Sequence, residues 1–223
     1  MTHFNIYGKY EPTLNIILDN IISQIKTYND MEVQKSGEKA YEHLIYRVKN
    51  KDSMLEKCTR KNLPQTTYSA LHDIQDAIGI RIICRFIDDI YKNIDYLKSL
   101  PNLKIIKEKD YIKNVKPNGY RSYHLIVEIT APYEDILGNN PGKFFAEIQV
   151  RTIAMDSWAS LEHQMKYKHD IKNPELIVKE LKRCADELAA CDVSMQTIRK
   201  FNQRMKINYI IKNKEYLYEN TIS

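Results

Sequence analysis

From Pro12 the apolar residues fall at Leu14, Ile17, Leu18, Ile21, Ile22 and Ile25, the three- and four-residue spacing of one helix face, and proline suits a first turn. That predicts an amphipathic first helix. Residues 41–49 mix β-branched, aromatic and basic side chains and read as a short strand ending in Arg47-Val48-Lys49. Asp52 or Ser53 can cap a following helix through about Arg60, and a polar linker occupies 61–67. From 78 to 86 the pattern switches to a period of two: Ile78, Ile80, Ile82, Cys84 and Phe86 share one side, with Arg81 and Arg85 on the other, the signature of a strand with one buried face. Asp88-Asp89 opens a helix that stops before Pro101.

Three further strands are expected at 103–107, 121–129 and 143–151. In the last, Glu147, Gln149 and Arg151 alternate with Ala146, Ile148 and Val150, a polar working face backed by a core. Thr152 is placed to cap a helix whose Met155, Trp158, Leu161, Glu162 and Met165 form one broad stripe. Asn173-Pro174-Glu175 starts a long final helix with a heptad-like seam of Ile177, Leu181, Cys184, Leu188, Cys191, Met195 and Ile198. Such a seam either packs on its own sheet or pairs with another subunit; with two cysteines in it, it is weakly apolar for an autonomous coiled coil, which favours the first. From about Asn208 a polar, tyrosine-rich tail is expected. The pattern gives an α+β fold.

Length and composition set bounds on function. A chain of 223 residues, 43% apolar and 28% charged, can bury a real core. Its formal charge of +5 favours anionic ligands without separating nucleotide from nucleic acid. No apolar run reaches membrane-span length and residues 1–10 hold no signal core, which predicts a cytoplasmic protein with no membrane partner. Cys58, Cys84, Cys184 and Cys191 form no Cys-x-x-Cys pair, so neither a zinc site nor a disulfide framework is expected. His72-Asp73 has no His or Asp partners at metal-ligand spacing, and Walker and Gly-x-Ser-x-Gly loops are absent.

Residues 109–124 contain four cations, three tyrosines, Pro117-Asn118-Gly119 and a terminal His124. Composition alone fits a solvated surface hairpin. It also fits a nucleotide grip, with cations for phosphate, tyrosine faces for a base and a tight Asn-Gly turn. Two other clusters favour the grip. Arg47-x-Lys49 precedes a predicted helix on which Ser53 and Lys57 share a face, an arrangement suited to a phosphate chain. Asp76, just before the strand of Gly79 and Arg81, and Glu147 on another strand supply the carboxylates of a magnesium site for phosphoryl transfer.

In order and spacing these clusters resemble the RelA/SpoT synthetase domain over residues 40–168: Arg47-x-Lys49-x3-Ser53-x3-Lys57, Asp76-x-x-Gly79-x-Arg81, Lys109-Asp110-Tyr111-Ile112 with Asn118-Gly119-Tyr120-x-Ser122-x-His124, and Glu147-Ile148-Gln149-Val150-Arg151-Thr152. Met155-Asp156-x-Trp158-Ala159-x-Leu161-Glu162-His163 with Tyr167-Lys168 is similar to the small alarmone synthetases of Firmicutes. The resemblance implies a mixed β-sheet of about five strands flanked by helices, nucleotidyltransferase-like, with residues 1–39 an N-terminal helical extension and 169–223 a C-terminal helix and tail.

The activity it implies is transfer of the pyrophosphate of ATP to the 3′-hydroxyl of GTP or GDP, with GMP a further candidate acceptor. The products are pppGpp or ppGpp and AMP, made in the stringent response by synthesis without hydrolysis. By the same resemblance Arg47 and Arg81 stack on adenine, and Lys49, Ser53 and Lys57 hold the ATP phosphates. Asp76 and Glu147 are catalytic and ligate Mg²⁺. Tyr120 stacks on guanine, with Lys109, Lys116, Arg121 and His124 around the acceptor, and Gln149 and Arg151 near the reacting centre. Small synthetases of this type assemble as homotetramers, and some bind an alarmone effector or single-stranded RNA. The rival expectation is an RNA-binding module whose synthetase activity is weak or lost, against which the paired carboxylates count.

Overall fold

The computed structural model describes residues 5–167 and 174–221; Asn173 of the expected helix start, Lys168 of the last motif and the expected boundary at 168/169 lie outside them. Five strands form one sheet in the order β1-β2-β5-β4-β3: β1 His43–Val48, β2 Ile78–Cys84, β3 Leu103–Asp110, β4 Tyr123–Ala131 and β5 Gly142–Thr152. The β2 and β5 strands run parallel and the other neighbours antiparallel, so the sheet is mixed. Five helices flank it: α1 Glu11–Ser36, α2 Lys51–Arg60, α3 Ile87–Ser99, α4 Ile153–Tyr167 and α5 Pro174–Thr221.

The period-two pattern decides which side of the sheet is dry. Ile78, Ile80 and Ile82 of β2, Leu125, Val127 and Ile129 of β4, and Ala146, Ile148 and Val150 of β5 join the six apolar residues of α1 and Ile90, Ile94 and Leu97 of α3 in one core. Each buried Leu, Ile or Val among them contributes about 1.5–3 kcal/mol. Residues of opposite parity are left on the other side, which carries the polar groups.

Several expected boundaries move. Asn50, not Asp52 or Ser53, caps α2: its Oδ1 accepts from the Ser53 N–H at 2.8 Å, satisfying a donor that the helix itself cannot. The second strand ends at Cys84, and α3 starts at Ile87 with Asp88 and Asp89 in its first turn, where the helix dipole favours them. A π-helical turn at Ser69–Asp73 follows the expected linker, and Arg121 and Ser122 precede β4. Thr152 does cap α4, accepting from the Met155 N–H at 3.1 Å.

The α5 helix corrects two expectations. It continues to Thr221, through what reads as a tail. It also docks through a face rotated from the apolar seam: Ala185, Asp192 and Gln196 are buried, while Cys191 is exposed and Met195 and Ile198 are more than half exposed. Polar anchors hold that face. Thr152 Oγ1 donates to Asp192 Oδ2 at 2.6 Å, Trp158 Nε1 donates to the Leu181 carbonyl at 2.7 Å, and Gln196 Oε1 accepts from the Asp88 N–H at 3.0 Å.

Candidate active site

Strand register gathers the polar residues. Reading across the sheet from β1 to β3, Arg47, Gly79, Glu147, Ile126 and Lys107 stand in one row, and Ile45, Arg81, Gln149, His124 and Lys109 in the next. Neighbouring strands lie about 4.8 Å apart, so each row spreads its side chains over a ligand-sized width. Positions 103, 105, 107 and 109 would share one face of a regular strand. A bulge between Ile105 and Lys107 inserts an extra residue into β3. Leu103 and Ile105 therefore stay with the core side while Lys107 and Lys109 turn to the polar side, the re-aiming for which bulges beside active sites are known.

Two clefts open on this face. The first, about 260 Å³, is lined by Arg47, Lys49, Gly79, Arg81 and Gln149 among others; the second, about 410 Å³, by Lys57, Lys61, Lys107, Lys109, Tyr111, Lys116 and His124 among others. Asp76 and Glu147 line both.

Asp76 leads into β2, and its Oδ2 accepts from Lys49 Nζ at 2.5 Å and from Lys57 Nζ. Burial opposes its ionisation, but the two ammonium groups outweigh that and hold the carboxyl below its ordinary range. The Lys49 ammonium is pushed down by its own burial despite Asp76. Behind it, the buried Tyr7 donates its hydroxyl to the Lys49 carbonyl at 2.7 Å, fixing the β1–α2 junction. Glu147 meets His124 Nδ1 at 3.3 Å and accepts from Gln149 Nε2 at 3.1 Å. Burial again raises its pKa, and the contact with His124 leads the groups that bring it below the ordinary value.

Asp76 Oδ1 is buried and has no hydrogen-bond partner. An orphaned carboxylate oxygen at the junction of two clefts suits a hard cation, which carboxylates and phosphate oxygens bind together. No group of three or more His, Cys, Asp or Glu able to hold a metal occurs among the described residues, so any cation here draws further ligands from substrate and water.

Beside the second cleft Tyr120 packs edge-on against Tyr111, His124 and Trp158. The Lys116 ammonium sits over the Tyr111 and Tyr120 rings at 4.5 and 4.8 Å from their centroids. The Tyr120 hydroxyl meets His124 Nε2 at 2.8 Å and accepts from Arg151 at 2.7 Å.

Not every expected site residue lines a cleft. Ser53, in the first turn of α2, and Tyr120, beside the second cleft, stand outside both linings. Arg121 points to α5, donating to the Ala185 carbonyl and to Asp186, each at 3.1 Å. Arg151 is almost wholly buried beneath Tyr120, and Gln149 lines the first cleft rather than the second. Lys61, Lys107, Tyr111 and Asp156 are additions. Tyr111 and Asp156 stood in quoted motifs without a role assigned to them; Lys61 and Lys107, and the arginine partners of Asp156, depend on register and helix placement.

The site is thus two clefts lined with cations that meet at a carboxylate pair on a mixed sheet. The chain belongs to the RelA/SpoT family: the region found in RelA and SpoT proteins matches residues 46–172. Over 164 residues, 74% of this chain and 76% of the other, it is 44% identical to GTP pyrophosphokinase YwaC of Bacillus subtilis, and over 161 residues, 71% and 72%, it is 37% identical to GTP pyrophosphokinase YjbM of the same organism. The fold matches the crystal structure of small alarmone synthetase 1 from Bacillus subtilis bound to its product pppGpp with a TM-score of 0.72, at 31% identity, covering 84% of this chain and 93% of that one.

Proposed function

We infer that this chain is a (p)ppGpp synthetase, a GTP diphosphokinase that transfers the pyrophosphate of ATP to the 3′-hydroxyl of GTP or GDP, with GMP a third candidate acceptor, and releases AMP. The relatives named as GTP pyrophosphokinases support the activity. One observation carries the site assignment: Asp76 and Glu147 form the shared wall of the two clefts. Pyrophosphoryl transfer needs donor and acceptor aligned across one centre of charge, because catalysis of such transfers is mostly positioning and electrostatic stabilisation.

In this reading the first cleft takes ATP. Arg47 and Arg81 face the adenine, Lys49 bears on the phosphates, and Lys57, which lines the second cleft, reaches them from its place beside Asp76 on the shared wall. The second cleft takes the guanine nucleotide, with Tyr120 and Tyr111 as the aromatic platform and Lys109, Lys116 and His124 as phosphate partners. Glu147, polarised by His124, orients the attacking 3′-hydroxyl and accepts its proton. Asp76 and Glu147 would hold Mg²⁺, which supplies positive charge to the phosphate oxygens. With a cation on Asp76, Lys49 and Lys57 would be available to phosphate.

The same proposal includes cytoplasmic residence and assembly as a homotetramer. The exposed Met195, Ile198, Phe201 and Met205 on α5 support α5 as a contact surface between subunits. An RNA-binding module without catalysis finds no support in the relatives, and RNA binding needs no carboxylate pair.

The test is product chromatography from ATP with GTP, GDP and GMP in turn, with Mg²⁺ or with chelator. The expected result is AMP and a 3′-pyrophosphorylated nucleotide only when ATP, acceptor and Mg²⁺ are all present. Folded protein that releases no AMP with any acceptor overturns the assignment.

A further inference from the structure

We propose that Asp156 is a positioning residue that couples the two substrate clefts, fixing Arg81 at the donor side and Arg151 beneath Tyr120 at the acceptor side through one carboxylate oxygen. The inference rests on the synthetase reading above and names a coupling within that site.

The geometry is specific. Asp156 Oδ1 accepts from Arg81 NH1 at 3.0 Å and from Arg151 NH1 at 3.0 Å. Arg81 lines the first cleft. Every nitrogen of Arg151 is engaged: Nε donates to Ser122 Oγ at 3.2 Å, NH1 to Asp156, and NH2 to Gln149 Oε1 at 2.6 Å and to the Tyr120 hydroxyl at 2.7 Å. Tyr120 in turn meets His124, and His124 meets Glu147. A continuous chain of charged and polar contacts thus runs from the donor-side arginine to the acceptor-side tyrosine and on to the carboxylate at the junction, with Asp156 the carboxylate that joins its two arginines.

Charge explains why that carboxylate is needed. Arg81 and Arg151 repel each other: burial, then Arg151, lower the Arg81 pKa, and Asp156 works against both. The Arg151 side chain is 5% exposed and cannot escape, whereas Arg81 is 38% exposed and can. Without Asp156, Arg81 is the member that swings out, and Arg151 loses the contact that orients its NH2 toward Tyr120. Local structure puts the carboxylate in place: Thr152 caps α4, and Asp156 falls in the first turn of α4, where the helix dipole favours an anion.

Initial-rate KM values for ATP and GTP, and ATP affinity by titration calorimetry, are measured on the full chain and on Asp156→Ala, Asp156→Asn and Asp156→Glu, with thermal midpoints alongside. The expected result for Asp156→Ala is a ten- to hundredfold rise in both KM values, the range of one charge-assisted contact, with a smaller fall in kcat and partial rescue by Asp156→Glu. Asp156→Asn, nearly isosteric, carries the same test should the alanine variant not fold. A coupling readout separates positioning from bulk stability. Tyr120→Phe, an acceptor-side change, raises the KM for ATP in the wild-type background and adds nothing to it in the Asp156→Ala or Asp156→Asn background. Equal ATP affinity in wild type and Asp156→Asn, or an undiminished Tyr120→Phe effect on ATP in the Asp156 variants, overturns the proposal. A wild-type chain that binds ATP but releases no AMP overturns the synthetase reading instead.

Discussion

Gly119 is pressed against Ala185: a Cβ added at position 119 would lie 2.5 Å from the Ala185 Cβ, and the Gly119 φ of +88° is one that other residues adopt only under strain. The turn at Gly119 and the long C-terminal helix are therefore in direct contact, and Arg121 reinforces it by donating to the Gly119 and Ala185 carbonyls. Gly119→Ala must push α5 away or distort the turn, at a cost of about 1–3 kcal/mol. The expected outcome is a lower thermal midpoint together with a higher KM for the guanine nucleotide, read by calorimetry and initial rates. Loss of stability with acceptor KM unchanged would detach α5 from acceptor binding.

Asp76→Asn and Glu147→Gln each remove a carboxylate from the wall shared by the clefts. Loss of one preorganised electrostatic contact costs about 10²–10³ in rate, and AMP formation is expected to fall at least that far while circular dichroism stays native. Wild-type rates in both variants would move the reacting centre elsewhere.

Tyr120→Ala removes the ring that packs beside Lys116, Tyr111 and His124 and the hydroxyl that Arg151 holds. Stacking on one base is worth about 1–3 kcal/mol, so the guanine-nucleotide KM is expected to rise about tenfold or more, and by more than the ATP KM. Steady-state titration of each substrate measures the two effects separately.

Stability should depend on pH through Asp192, which is buried and accepts from Thr152. Burial raises its pKa in the fold, with the Thr152 contact and Arg121 opposing. The folded chain therefore holds this proton more tightly than the unfolded chain does. The contribution is full below the unfolded pKa of about 3.9 and is lost as pH rises through the higher folded value. Asp192→Asn keeps an oxygen for Thr152 and removes the charge. Its thermal midpoint is expected to equal or exceed that of wild type at pH 7, with the difference closing as pH falls toward 4.

Ile198→Asp places a charge in the exposed apolar stripe of α5, where Ile198 is 55% exposed. If α5 joins subunits, the variant should show a lower molar mass than wild type by light scattering with unchanged circular dichroism. An unchanged mass would exclude this stripe from the assembly.

Most of this chain's architecture is local information. The three- and four-residue spacing of α1 and the strict alternation of β2, β4 and β5 fix which side chains are buried, because a helix or strand with one apolar side has one way to leave water. The chemistry of Asp76, Glu147, Arg47, Arg81 and Lys109 was legible too, since charged and aromatic residues at motif spacing are poorly suited to a core. Tertiary structure decided the rest. A bulge between Ile105 and Lys107 turns Lys107 and Lys109 toward the cleft, and no periodicity announces a bulge. Docking through Asp192 and Gln196 rotates α5 away from the seam its apolar residues mark, because hydrogen bonds to Thr152 and Asp88 fix it more specifically than burial of Met195 or Ile198. Asp156 acquires its place between Arg81 and Arg151 only when the start of α4 is set against the sheet. The sequence by itself determined the elements and the charged content of the clefts; which cations line a cleft and which brace it depended on register and packing, long-range relations that no short stretch of chain encodes.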